Sequence, residues 1–169
     1  MQVETRDEHR WLQRLAGTWA YESDFQMAPD QPPMKCTGTE TIRMLGEVWA
    51  ISEGKGTMPD GGTGTVQFTI GFDPAKNSFV GTFVGSMMTH LWVYERGTLD
   101  ASGKALTLEA EGPNCMATDG ALAKFRDTVA LDGPDRRTLT SEIQQADGSW
   151  RQMMTIHYVR TNAAALAAE

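Results

Sequence analysis

Glu40, Glu53, His90, Tyr94 and Arg126 are the residues whose types could do chemistry together, because each sits where apolar and polar side chains alternate along the chain. In such a segment successive side chains point to opposite faces. Cys36, Gly38, Glu40, Ile42 and Met44 therefore share one face, and Thr37, Thr39, Thr41 and Arg43 form the plainly solvated one. Trp49, Ile51 and Glu53 fall together in the next segment, and Trp19, Tyr21, Ser23 and Phe25 in the first. His90, Trp92, Tyr94 and Arg96 oppose Leu91, Val93 and Glu95, while Met154, Ile156, Tyr158 and Arg160 oppose Met153, Thr155, His157 and Val159. In these last two segments the pattern leaves open which face is inward.

With the inward register as assigned, Glu40, Glu53, His90, Tyr94 and Arg126 meet in an apolar chamber. Tyr21, Met44, Trp49, Trp92 and Met154 complete the expected ligand-binding set, with Met87 and Met88 beside them. A carboxylate buried there without a partner costs several kcal/mol, so it must be hydrogen-bonded, paired with a cation, or protonated with a raised pKa. Groups in that condition orient ligands or serve as general acids and bases. The competing assignment puts these charges on the rim or outer face, with the register displaced by a bulge.

Other chemistries lack their signatures. His90 and His157 are single imidazoles with no second and third ligand at metal-site spacing, so neither a metal nor another cofactor is expected, and no catalytic residue is assigned. No serine lies in a nucleophile-elbow context, and Gly61, Gly62 and Gly64 are followed by a strand pattern rather than by a helix N-terminus that would receive phosphate.

The elements that must position these groups are strands. From Gly17 onward ten alternating segments are separated by turn clusters at close and even spacing: Gly17 to Met27, Cys36 to Leu45, Val48 to Gly56, Thr65 to Asp73, Ser78 to Gly85, Thr89 to Leu99, Ala105 to Gly112, Ala123 to Asp132, Arg137 to Gln145 and Trp150 to Arg160. Asp73-Pro74-Ala75-Lys76-Asn77, Asp132-Gly133-Pro134-Asp135 and Ala146-Asp147-Gly148-Ser149 are hairpin connections. Consecutive strands therefore pair. A meander of about ten strands buries its edges by closing, so the expected fold is all-β, a closed antiparallel up-and-down barrel. The stretches Ala28 to Lys35, Thr57 to Gly64 and Pro113 to Leu122 are loops expected at its open mouth.

Before Gly17 the period changes. Trp11, Leu12 and Leu15 fall three and four apart, which predicts a helix from Arg6 to Leu15, too short to stand alone and expected to plug one end of the barrel. Trp19 then points inward to fill the base. Residues 1–161 read as one domain and 162–169 as a tail.

The residues also carry a resemblance. Gly17-Thr18-Trp19 after a short helix, with Tyr158-Val159-Arg160 on the last strand, is similar to the calycin pattern, in which a terminal arginine packs across the tryptophan of the first strand. His9-Arg10-Trp11-Leu12, Leu15-Ala16-Gly17-Thr18-Trp19, Gly71-Phe72-Asp73 and Met154-Thr155-Ile156-His157-Tyr158 resemble the bacterial family called domain of unknown function 1579. The resemblance covers nearly the whole chain and implies a lipocalin-like or nitrobindin-like barrel. It brings no activity with it. Where nitrobindins continue with glycines after the tryptophan, this chain has Ala20-Tyr21-Glu22, which turns the reading away from haem.

Composition narrows the partners. The 15 Lys and Arg against 22 Asp and Glu give a net charge of -7, which opposes nucleic acid and anionic membranes. No apolar run reaches the roughly 20 residues of a bilayer span and no signal peptide is evident, so a cytoplasmic location is expected. Cys36 and Cys115 read as free thiols. The function expected first is binding of a small hydrophobic or amphipathic molecule inside the barrel. The alternatives are an enzyme using cavity Glu, His or Tyr as general acid or base, and an interaction module, for instance a homodimer.

Overall fold

The computed structural model describes residues 4–25, 32–58, 61–114 and 120–161. Among the described residues a single helix, α1 (Asp7–Gln13), precedes eleven strands: β1 (Gly17–Phe25), β2 (Met34–Leu45), β3 (Trp49–Thr57), β4 (Thr63–Asp73), β5 (Ser78–Gly85), β6 (Trp92–Tyr94), β7 (Arg96–Leu99), β8 (Ala105–Pro113), β9 (Leu122–Leu131), β10 (Arg136–Gln144) and β11 (Trp150–Thr161). They form one antiparallel sheet in the order β6-β5-β4-β3-β2-β1-β11-β10-β9-β8-β7, nearly closed into an up-and-down barrel. Parts of all three expected mouth loops, the tail after Thr161 and Cys115 lie outside the described residues.

The strand count exceeds ten because the expected sixth strand, Thr89 to Leu99, is broken at Glu95. Its first half pairs with β5 and its second with β8. The seam of the barrel falls at this break, and a serine stitches it. The Gly97 N–H donates to Ser78 Oγ at 2.9 Å, and the Ser78 hydroxyl donates back toward the Gly97 carbonyl at 3.3 Å. Gly97 suits the place, since a Cβ there would crowd Leu108 and the Phe79 backbone.

Opposite the seam, β1 and β11 pair from Thr18 and Thr161 to Phe25 and Met154, with Trp19 across from Arg160. Trp19 is fully buried and donates its indole N–H to the Leu15 carbonyl at 2.9 Å. The Arg160 guanidinium carbon stands 4.1 Å from the centre of that ring, while its nitrogens donate to the carbonyls of Ala16, Arg14 and Pro134. The Arg14 and Ala16 carbonyls are unsatisfied ends of the helix-to-strand corner and that of Pro134 belongs to the β9–β10 turn, so one side chain fixes the corner, ties it to that turn and caps the ring. Gly17 turns the corner at φ 134°, and a Cβ there would overlap Arg160.

α1 packs on β3 and β4 at the same end. It stops at Gln13, short of Leu15, because the last turn tightens: Leu15 N–H donates to the Leu12 carbonyl at 3.0 Å. Trp11 and Leu12 are buried, Leu15 follows them into the base, and the Trp11 indole N–H reaches the Gly103 carbonyl in the β7–β8 turn at 2.9 Å. Phe72, Phe79 and Leu106 complete this floor.

If Ser78 holds the seam, Ser78→Ala leaves the buried Gly97 N–H without its acceptor. The variant should lose about 1–3 kcal/mol in urea denaturation, with faster hydrogen exchange at the Gly97 amide. An unchanged midpoint would show that β7 needs no stitch.

Candidate functional site

Register decides the interior. On β2, Glu40 lies across from Trp19 of β1 and from Gly54 of β3, so it shares the inward face with both. Ile42 pairs with Ser52, and the inward residues of β3 are consequently Ala50, Ser52, Gly54 and Gly56. Small side chains on this wall leave space. A cavity of about 460 Å³ occupies the barrel above the Trp19 floor and runs toward the end bearing Thr57, Met58, Met87, Met88 and Pro113.

Tyr21, Glu40, Trp92, Tyr94 and Met154 of the expected set line this cavity. The other five stand elsewhere. Trp49 and Glu53 sit on the outer face of β3: the pairing of Glu40 with Gly54 puts the even-numbered residues inside, Glu53 is exposed, and the Trp49 ring covers Gly71. Arg126 is outside as well, hydrogen-bonded to Glu142 at 2.5 Å and stacked 4.5 Å from the Trp150 ring. Met44 packs on the floor rather than on the cavity. His90 precedes β6 and meets the Trp92 ring edge-on at 5.0 Å, outside the lining, and His157 is exposed on β11. Glu40, Glu53 and His90 do not converge.

Two polar groups that the alternation did not single out take their places. The first is Arg137, 3% exposed at the start of β10. It donates to Glu40, which also accepts from the Ser52 hydroxyl and is held by the Tyr158 phenol. The guanidinium lies 3.5 Å from the centre of the Tyr158 ring and 4.8 Å from that of Trp19. Burial, then the negative charge of Glu40, pushes the Tyr158 phenol well above its ordinary range, which keeps it a donor. The same two causes raise Tyr21, whose ring fills the hollow over Gly38 and Gly56, where any Cβ would overlap it.

The second group is Asp127. Along β9, Phe125, Asp127, Val129 and Leu131 share the face opposite Arg126, Thr128 and Ala130, so the carboxyl is inside because Arg126 is outside. Tyr94 donates to its Oδ2. The buried Oδ1 has no well-formed hydrogen bond, and the hydroxyl of its register partner Ser141 is the group beside it that favours ionisation. Burial outweighs both hydroxyls and raises the Asp127 pKa, and burial followed by the Asp127 charge raises Tyr94.

Apolar side chains make the remaining walls. Phe68 stands 5.3 Å from Tyr94, and Trp92 stands 4.8 Å from Phe125. The Trp92 indole is seated over Gly112, where a Cβ would strike it. A bulge between Ser141 and Glu142 brings both Met153 and Met154 to the lining. Cys36 is a free thiol on the same surface. Among the described residues no three acidic, histidine or cysteine side chains gather as a metal site, and no helix is long and apolar enough to cross a membrane.

Comparison with known proteins agrees with the architecture. A family model described as "Protein of unknown function (DUF1579)" matches residues 4–160. Rv2717c from M. tuberculosis has a similar structure, 13% identical, with a TM-score of 0.63 over 94% of this chain and 100% of that one. So does the S-type phycobiliprotein lyase CPES from Guillardia theta, 12% identical, with a TM-score of 0.57 over 91% of this chain and 92% of that one. No curated protein matches in sequence.

Two outcomes follow from this geometry. Glu40→Ala strands the Arg137 charge in the floor and should cost about 3–5 kcal/mol of stability, whereas Glu53→Ala on the outer face should stay within about 0.5 kcal/mol; equal costs in urea denaturation would contradict the assigned register. Asp127 binds its proton more tightly folded than unfolded, so its contribution is whole below the ordinary aspartate range and is lost as pH rises through the raised pKa. Asp127→Asn lacks that loss and should gain on the parent protein between acidic and neutral pH, by at most about 1.4 kcal/mol per pH unit. A stability difference flat in pH would refute the shift.

Proposed function

The chain belongs to the DUF1579 family, and because that family brings no activity with it, we propose from the site itself that the barrel binds a small, largely hydrophobic molecule with a polar end. The observation that carries this reading is the cavity. Its volume of about 460 Å³ falls within the roughly 300–1,000 Å³ of small-molecule sites, and its make-up, apolar walls with a few convergent polar groups, is theirs too. Larger side chains on the wall nearest Glu40 would have filled much of the volume. That wall carries Ala50, Ser52, Gly54 and Gly56 instead.

The rim supports the same reading. Met87 and Met88 are both exposed and both reach the lining. Thioether side chains are flexible and polarisable, suited to admitting apolar molecules of more than one shape. Catalysis finds less support, since Glu40 spends its acceptor capacity on Arg137, Ser52 and Tyr158 within the floor.

The test is a titration of the purified protein with an environment-sensitive fluorescent probe of apolar body, after organic-solvent extraction and mass spectrometry of anything it carries. Saturable binding near one probe per chain is expected. Leu139→Trp, which fills the cavity from β10, should weaken it by roughly ten-fold or more, which is about 1.4 kcal/mol, with the melting temperature preserved. Absence of binding, or a Kd indifferent to that substitution, would sink the proposal.

A further inference from the structure

The charges lining the cavity do not balance. Among the described residues they are Glu40, Asp127 and Arg137. Glu40 and Arg137 neutralise one another in the floor, where the guanidinium is closed in by Tyr158 and Trp19 and is almost inaccessible. Asp127 has no cation: the groups acting on it are the hydroxyls of Tyr94 and Ser141. Among the described residues no free positive charge therefore remains to receive an anionic head group, and one carboxyl waits without a counter-charge.

The surroundings of that carboxyl are aromatic. Phe125 is two residues along the same face of β9, and Trp92 meets it edge-on at 4.8 Å. Tyr94 holds the carboxyl directly, with Phe68 tilted against it at 5.3 Å. The faces of such rings are electron-rich and attract cations, most strongly where water is excluded. A carboxylate within an aromatic enclosure is the combination that recognises ammonium groups.

We propose that the cavity takes an apolar molecule ending in a single protonated amine, seated between Asp127 and the rings of Phe68, Trp92, Tyr94 and Phe125. The inference rests on the reading of the barrel as a small-molecule binder and adds the head-group class. Binding an ammonium makes the interior neutral, two carboxylates against two cations, and supplies a donor to Asp127 Oδ1. The broad χ2 preference of aspartate lets that oxygen turn toward the guest while Tyr94 keeps its hold on the group. A carboxylate guest would instead bring a third negative charge next to Asp127, and a neutral guest would leave Asp127 to be protonated. Burial already pushes Asp127 toward its protonated form, which is the state expected of an acid that lacks its partner.

Three probes with one hydrocarbon body separate the possibilities: 1-aminodecane, 1-decanol and decanoic acid, each titrated below its micellar concentration by competition with the fluorescent probe at neutral pH. The amine should bind at least roughly ten-fold more tightly than the acid, with the alcohol between them. Asp127→Asn should bring the amine to the level of the alcohol. Trp92→Leu should weaken the amine several-fold more than the alcohol, which keeps the test open should the first variant fold poorly. An acid that binds as well as the amine, or an amine preference that survives Asp127→Asn, overturns the assignment while the binding barrel stands. Failure of all three probes and of the fluorescent probe overturns both.

Discussion

The indole of Trp19 is the point on which the barrel closes. The ring belongs to the first strand, receives one guanidinium from the last strand and a second from the cavity floor, and donates its own N–H to the corner that ends the helix. A closed sheet must satisfy three conditions at its base: the terminal strands must meet, the helix must dock without orphaned carbonyls, and the interior must end in something water cannot pass. Arg160 meets the first two by spanning from β11 to the Arg14 and Ala16 carbonyls. The ring meets the third. Two positive charges against one indole require compensation close by, and Glu40 on the inside and Asp135, 3.5 Å from Arg160, on the outside supply it.

This arrangement explains what the sequence made legible. The change of period at Gly17 and the inward Trp19 are local signals, each readable from a few neighbouring residues, whereas the arginine across the ring was implied by the calycin resemblance; the structure brings the three together. The hairpin punctuation fixed the meander in the same way. Glu40 was legible as an inward carboxylate because its strand alternates cleanly with threonines. On β3 the rule that the larger apolar side chains mark the inside failed, since a barrel that keeps a cavity needs its small residues there: Ala50, Ser52, Gly54 and Gly56 recur at a period of two, a signal of space rather than of packing. The broken strand at Glu95 was beyond any local signal, for the break is set by two sheet edges, β5 and β8, that meet only once the barrel has formed.

Arg126 and Asp127 show how much turns on one residue of phase. The pair is adjacent in sequence, and assigning the arginine to the interior places the aspartate in solvent. Phe125, Val129 and Leu131 decide the phase, because three apolar residues at alternate positions outweigh the chemistry of one cation. The consequence is electrostatic. With Arg126 outside, bound to Glu142, the described lining of the interior acquires a second acid and keeps a single base, Arg137.

An interior of that kind is costly to hold empty. Buried charges are tolerated where partners and hydrogen bonds replace water, and the Glu40 carboxylate, with Arg137, Ser52 and Tyr158 about it, meets that condition fully. Asp127 meets it only in part, through the Tyr94 hydroxyl and, less directly, that of Ser141, and without a cation. The contrast separates a polar group that the fold needs from one that it merely carries: the first is surrounded by donors and sits in the floor that closes the barrel, the second lies on the wall of an open volume with one oxygen unmatched. A fold does not gain from the second arrangement, and replacing Asp127 by a neutral residue of the same shape would relieve it. That it lies in the aromatic quarter of the cavity, away from the sealed floor, is the physical reason to regard the upper chamber as the working part of the protein and the Trp19 base as its support.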